Sequence, residues 1–111
     1  MASEVILIGS DTLGAPDEQL GAVLMGNFLR ILGDRENLPE YVILWNAGVK
    51  LAAANSAAID HIKRLVARGV TVICCRTCVE YFGLEEEIAV GEIDGMVRIQ
   101  EVLLTRQVLT V

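Results

Sequence analysis

The stretch Val70-Thr-Val-Ile-Cys-Cys-Arg-Thr-Cys78-Val-Glu-Tyr-Phe-Gly-Leu84 joins an apolar run to a helix-like segment and holds all three cysteines of the 111-residue chain. Four of the five residues from 70 to 74 are β-branched, the composition of a buried strand. The strand exit carries Cys75-Arg-Thr-Cys78 into a short helix expected from about Cys78 to Phe82. Cys74, inside the strand, reads as a small core hydrophobe. Thr77 and Cys78 fall where a cap and an exposed first turn are expected. Unpaired backbone N–H groups and the helix dipole favour a thiolate there, and Arg76 adds a cation nearby. Cys78 is therefore the expected reactive thiol, with Cys75 beside it and a lowered pKa.

Other uses of these cysteines fit less well. Zinc on Cys75 and Cys78 needs two further ligands, and the chain has one histidine and no second cysteine pair, so no metal is expected. An odd number of cysteines argues against a disulfide scaffold. His61 lies on a helix that runs away from the strand ends, and it reads as a solvent-facing residue rather than a base for Cys78. Glu85-Glu86-Glu87 reads as a solvated run of charge that would oppose a thiolate nearby.

Working outward, Val5-Ile-Leu-Ile-Gly9 is a short apolar run bounded by a polar turn, a strand buried on both faces. Pro16-Asp17-Glu18 opens a helix expected to reach about Leu32. Apolar residues including Leu20, Val23, Leu24, Met25, Phe28 and Ile31 occupy nearly every azimuth of it, so part is expected to face a second subunit, with Met25 among the outward positions. Tyr41-Val-Ile-Leu-Trp45 gives a second strand, followed by a polar loop Asn46-Ala-Gly-Val-Lys50. Asn55 or Ser56 caps a helix whose Ile59, Ile62, Leu65 and Val66 repeat at helical spacing up to Gly69. Beyond the cysteines, Ile88–Val90 suggests a short fourth strand, Asp94 caps a last helix, and Val108–Val111 is an edge strand.

Strands alternating with helices imply an α/β fold: a mainly parallel sheet of about five strands in a three-layer, flavodoxin-like sandwich. The whole of residues 1–111 is expected to be a single domain. Loops leaving the C-terminal ends of such strands line the site, which brings Asp11, Asn46 and Lys50 toward Cys75 and Cys78. Lys50 gains meaning only if its loop folds over the cysteine, where a cation would favour a thiolate or persulfide. Gly9-Ser-Asp-Thr-Leu-Gly14 lacks the spacing of a P-loop or a dinucleotide site, and Asp17 and Glu18 put negative charge where a phosphate would sit. No cofactor is expected, and flavin or nucleotide binding stands as a distant third reading.

Fifteen acidic against nine basic residues give a net charge of -6, which disfavours nucleic acid. No apolar run approaches the ~20 residues of a membrane span, and a cytoplasmic location is expected. An apolar fraction of 53% is high for a small monomer and points to a homo-oligomer.

Several motifs in one order resemble the DsrE/DsrF-like family of sulfur-relay proteins, and within it the C-terminal domain of the YedF proteins, which are described as sulfurtransferase-like and linked to selenium metabolism. They are Ile8-Gly-Ser-Asp-Thr-Leu-Gly14, Asp17-Glu-Gln-Leu-Gly21, Asn46-Ala-Gly-Val-Lys-Leu51, Cys75-Arg-Thr-Cys-Val-Glu-Tyr-Phe-Gly-Leu84 and Val90-Gly-Glu-Ile with Met96. The resemblance implies a DsrE-like fold, oligomeric assembly, and a cysteine that holds sulfur or selenium as a persulfide, which maps onto Cys78 with Cys75 beside it. Arg76 stands where family members often have glycine. YedF proteins also carry an N-terminal TusA-like domain that would supply sulfur or selenium in cis; the resemblance leaves three readings here, a TusA-like donor acting in trans, a detached piece of a two-domain protein, or a binding protein that has lost the chemistry. The competing reading is a non-enzymatic interaction or structural subunit of the same fold, in which the cysteines only pack.

Overall fold

The computed structural model describes residues 3–111. The strands are β1 (Val5–Ile8), β2 (Tyr41–Leu44), β3 (Thr71–Cys75), β4 (Glu92–Asp94) and β5 (Val108–Thr110); the helices are α1 (Glu18–Asp34), α2 (Ile59–Ala67), α3 (Arg76–Tyr81) and α4 (Met96–Thr105). A 3₁₀ helix, Asn46–Ala52, follows β2. All strand pairs are parallel, in the order β4-β3-β2-β1-β5. The register Ile8, Leu44, Cys74, Ile93 aligns the last core layer below the strand ends.

That order follows from the hand of parallel crossovers. From β1 to β4 the chain steps one way across the sheet, and right-handed connections put α1 and α2 on one face, where they pack together. The connection from β4 to β5 runs back across the sheet, so α4 covers the other face and packs on β3. Ile6 shares a small cavity with Phe28 and Leu32 of α1. Alternation then turns the set Val5, Leu7, Ile43 and Ile73 toward the α4 side. The three central strands are buried on both faces, as their continuous apolar runs predict. Each fully buried aliphatic side chain such as Ile43 or Ile73 contributes roughly 1.5–3 kcal/mol.

The helix ends are built from local chemistry. Asp17 caps α1, its Oδ1 accepting the Leu20 N–H at 2.9 Å. At the other end of α1, Arg68 from beyond α2 donates to the carbonyls of Gly33 (2.9 Å) and Arg35 (2.7 Å), and Arg64 pairs with Asp34. These contacts satisfy orphan carbonyls and tie α1 to α2. Ser56 lies just before α2, its hydroxyl accepting the Ala58 N–H at 3.1 Å. Gly69, at φ 94°, closes that segment in the left-handed conformation.

Four expectations are corrected. Met25 is 1% exposed and belongs to the core, because the buried stripe of α1 is Gly21, Met25, Leu29 and Leu32. The outward apolar residues are Leu20, Val23, Leu24 and Ile31. The fourth strand is Glu92–Asp94; Ile88 makes one antiparallel bridge with Ala53. Asp94 ends that strand, and Gly95 is the N-cap of α4; the Asp94 carboxylate accepts the Gly95 N–H at 2.7 Å and pairs with Arg98. Residues 46–50 are helical rather than an open loop.

The 3₁₀ helix presses on the end of β1. A Cβ at Gly48 would lie 2.3 Å from the Ile8 carbonyl oxygen, so only glycine allows this approach. Gly48→Ala is expected to cost about 1–3 kcal/mol by forcing the two backbones apart. Urea unfolding checks it: an unchanged midpoint would mean that the contact is dispensable.

Candidate functional site

Parallel strands deliver their exits to one edge of the sheet, and the connections after β1, β2 and β3 meet there. Cys75 ends β3 and serves as N-cap of α3; Cys78 is the third residue of that helix, within its first turn. Cys74 and Cys75 are buried and Cys78 is partly exposed. The Cys78 Sγ accepts the backbone N–H of Asn46 at 3.0 Å, across 32 residues of sequence. Asn46 is held at φ 50°, in the left-handed region that asparagine tolerates better than most residues, and its Oδ1 accepts the Ala47 N–H at 2.8 Å. The conformation aims a main-chain donor at sulfur.

Two cavities flank α3. One of about 370 Å³ is lined by Asn46, Thr77, Cys78, Tyr81 and Phe82. The other, about 510 Å³, has Asp11, Lys50, Asn55, Ser56, Phe82 and Leu84 in its wall. Phe82 is common to both. It lies four residues after Cys78, its N–H donating to the Cys78 carbonyl at 3.1 Å, so the ring stands one turn along from the thiol. The Lys50 ammonium sits 4.6 Å from the ring centroid, a cation–π contact.

The electrostatics run against the expected lowering of the Cys78 pKa. Burial, then the hydrogen bond with Cys75, push this thiol up, while the Asn46 N–H pulls the other way. Burial likewise pushes Cys74 up, to about 12. Arg76 explains part of the difference. Its guanidinium donates to the Ile93 carbonyl at 3.1 Å, toward β4, instead of lying over the sulfur. Dipole stabilisation from a six-residue helix is also small beside desolvation.

Asn46, Thr77 and Cys78 thus share one cavity, and Cys75 is buried at the N-cap of α3; Asp11 and Lys50 line the second. Ser10 and Thr12 turn inward, their hydroxyls 3.2 Å apart. His61 is partly buried on α2 and lines neither cavity. Glu85, Glu86 and Glu87 are exposed. Phe82 and Tyr81 were not singled out by sequence, although the spacing of four from Cys78 to Phe82 is a readable signal. Among the described residues no group of three or more His, Cys, Asp or Glu is placed to hold a metal ion.

The model of the DsrE/DsrF-like family matches residues 16–111, which include the second and third strand exits and both cysteines of the pair. The chain belongs to the DsrE/DsrF-like family. The DsrE-like chain is similar to the ychN protein from E. coli, with a TM-score of 0.72 and 22% identity over 99% of this chain and 100% of that one. It is also similar to MTH1491 from Methanobacterium thermoautotrophicum, a protein of unknown function, with a TM-score of 0.68 and 18% identity over 96% of each chain. A third similar structure is BT1422 from Bacteroides thetaiotaomicron, with a TM-score of 0.67 and 19% identity over 96% of this chain and 93% of that one. No curated protein matches the sequence.

Site-resolved alkylation across pH is expected to label Cys78 with a midpoint above that of an ordinary thiol, and ahead of Cys74, whose midpoint lies near 12. A Cys78 midpoint below the ordinary value would show that the Asn46 N–H outweighs burial.

Proposed function

We propose that this protein carries sulfane sulfur, or selenium, as a persulfide on Cys78, acting as a sulfurtransferase-like partner of a separate donor. The observation that carries the reading is the Asn46 N–H aimed at the Cys78 sulfur from 3.0 Å, beside a cavity open to a second sulfur atom. A backbone donor stabilises charge on sulfur without supplying a group that could itself be modified.

The chemistry balances without an outside oxidant. The Cys78 thiolate attacks the outer sulfur of a donor R–S–SH; the donor S–S bond breaks as the Cys78–S–SH bond forms. The electron pair leaves on the donor's inner sulfur, which takes up the proton that Cys78 lost. An acceptor thiolate can then remove the outer sulfur. Alternatively, Cys75 attacks the Cys78 sulfur, expels hydrosulfide and leaves a Cys75–Cys78 disulfide for a cellular dithiol to reduce. A TusA-like carrier in a cytoplasmic thiol pool is the proposed donor, and the motif likeness to the C-terminal domain of YedF supports selenium as a second cargo.

The competing reading, an interaction subunit whose cysteines only pack, draws on the raised Cys78 thiol. One experiment separates the two. Incubation with a persulfide donor followed by intact-mass analysis is expected to add one sulfur to the wild type and none to Cys78→Ser. Equal labelling of both would remove the role assigned to Cys78.

We also infer that the working form is a homo-oligomer, a dimer or trimer assembled through α1. Leu20, Val23 and Ile31 stand 56%, 60% and 53% exposed along that helix, an apolar stripe that a monomer would leave in water. Val23→Glu is expected to dissociate the assembly with the circular dichroism of the fold retained. Light scattering behind size exclusion reads this directly, and a monomeric wild type at micromolar concentration would refute it.

A further inference from the structure

The larger cavity, which meets the Cys78 cavity at Phe82, carries two opposite charges that do not pair with each other. Asp11, in the connection after β1, and Lys50, on the 3₁₀ helix after β2, both line it, yet among the described residues no ion pair joins them. Lys50 instead rests on the Phe82 ring, and Phe82 also walls the cavity of Cys78. A carboxylate and an ammonium held apart around about 510 Å³ are complementary to a molecule with its own ammonium and carboxylate on one carbon. Asn55 and Ser56 add neutral polar groups to the same wall.

The placement along α3 links the two cavities. Cys78 and Phe82 are four residues apart, so the ring on which the Lys50 ammonium rests follows Cys78 by about one turn of backbone and walls both cavities. Residues Asn46 to Lys50 form one continuous 3₁₀ segment, which fixes the donor at Cys78 and the cation at Phe82 relative to each other.

Resting on the sulfur-carriage reading above, we propose that the small-molecule partner of this site is a zwitterionic α-amino acid persulfide of the cysteine type. Its carboxylate is held by Lys50, its ammonium by Asp11, and its outer sulfur is presented to Cys78. The transfer is the balanced exchange already given: the outer sulfur moves to Cys78 and the amino acid leaves as its thiol.

The test varies the donor's head group. Cys78 loading is followed by intact mass with persulfides of L-cysteine, N-acetylcysteine (no ammonium) and cysteamine (no carboxylate), and with inorganic polysulfide. The L-cysteine persulfide is expected to load roughly two- to fivefold faster than either truncated donor, the size of the one exposed ion pair that each of them lacks. Lys50→Met is expected to bring cysteine down to the cysteamine rate, and Asp11→Asn to bring it down to the N-acetylcysteine rate. Equal rates from all three organic donors would overturn the proposal, and so would loading from a protein-bound persulfide alone; in either case Cys78 loading still supports sulfur carriage.

A binding measurement separates the two readings when no donor loads Cys78. S-methyl-L-cysteine cannot transfer sulfur, and its saturable NMR shifts at Asp11 and Lys50 would support the head-group site even with the thiol silent. Absence of such shifts in the wild type would overturn it.

Discussion

The approach of the Gly48 backbone to the Ile8 carbonyl sets the position of everything chemically interesting in this molecule. Because residue 48 has no Cβ, the 3₁₀ helix can lie against the end of β1 instead of standing off into solvent. The Trp45 N–H, donating to the same Ile8 carbonyl at 3.2 Å, fixes where that helix begins. From this one seat, Asn46 reaches the Cys78 sulfur, Lys50 reaches Phe82, and Ala53 makes its bridge to Ile88. The second strand exit thereby organises the third, although 32 residues separate Asn46 from Cys78.

The thiol itself is held between opposed influences. Burial and the Cys75 hydrogen bond favour the protonated form, and the Asn46 N–H favours charge. Such a balance suits a carrier better than a fast nucleophile. A sulfur added to Cys78 extends about 2 Å farther from the floor of the site, into the cavity bounded by Tyr81 and Phe82. Charge on that outer atom escapes part of the desolvation that raises the resting thiol. In the carriage proposed above, burial favours the protonated thiol of an empty site, and the cargo of a loaded one would face the cavity.

How much of this was legible in the sequence follows from which interactions are local. Continuous apolar runs such as Val5–Ile8 and Val72–Cys74 revealed central parallel strands, because burial on both faces removes polar alternation. Asp17 at the start of α1 and Gly69 after α2 were readable because helix ends are satisfied within a few residues. The meeting of Asn46 with Cys78 followed from strand polarity alone, whereas Asp11 lines the neighbouring cavity. What sequence missed depends on azimuth and on long-range partners. Met25 falls in the buried stripe of a helix that is apolar on most sides, so its pattern could not say which side faces the sheet. Arg76 turned to the Ile93 carbonyl, a contact across strands, and the direction of the Cys78 shift turned on burial that no single residue announces.

The apolar surface of α1 divides between a cavity wall and an exposed stripe. Met25 and Ala22 of α1 line the larger cavity, while Leu20, Val23 and Ile31 stand exposed along the helix. A neighbour seated on that exposed stripe would leave the walls from Asp11 to Lys50 untouched. Tyr81 is different: it is 83% exposed and lines the Cys78 cavity, with its ring edge-on to Phe82 at 5.2 Å. An aromatic residue so exposed beside a thiol leaves apolar area that a visiting molecule can cover only by closing over the sulfur, which would strip water from the cavity as transfer begins. In the function proposed above, the first apolar surface would serve contacts between copies and the second the transient contact in which sulfur changes hands.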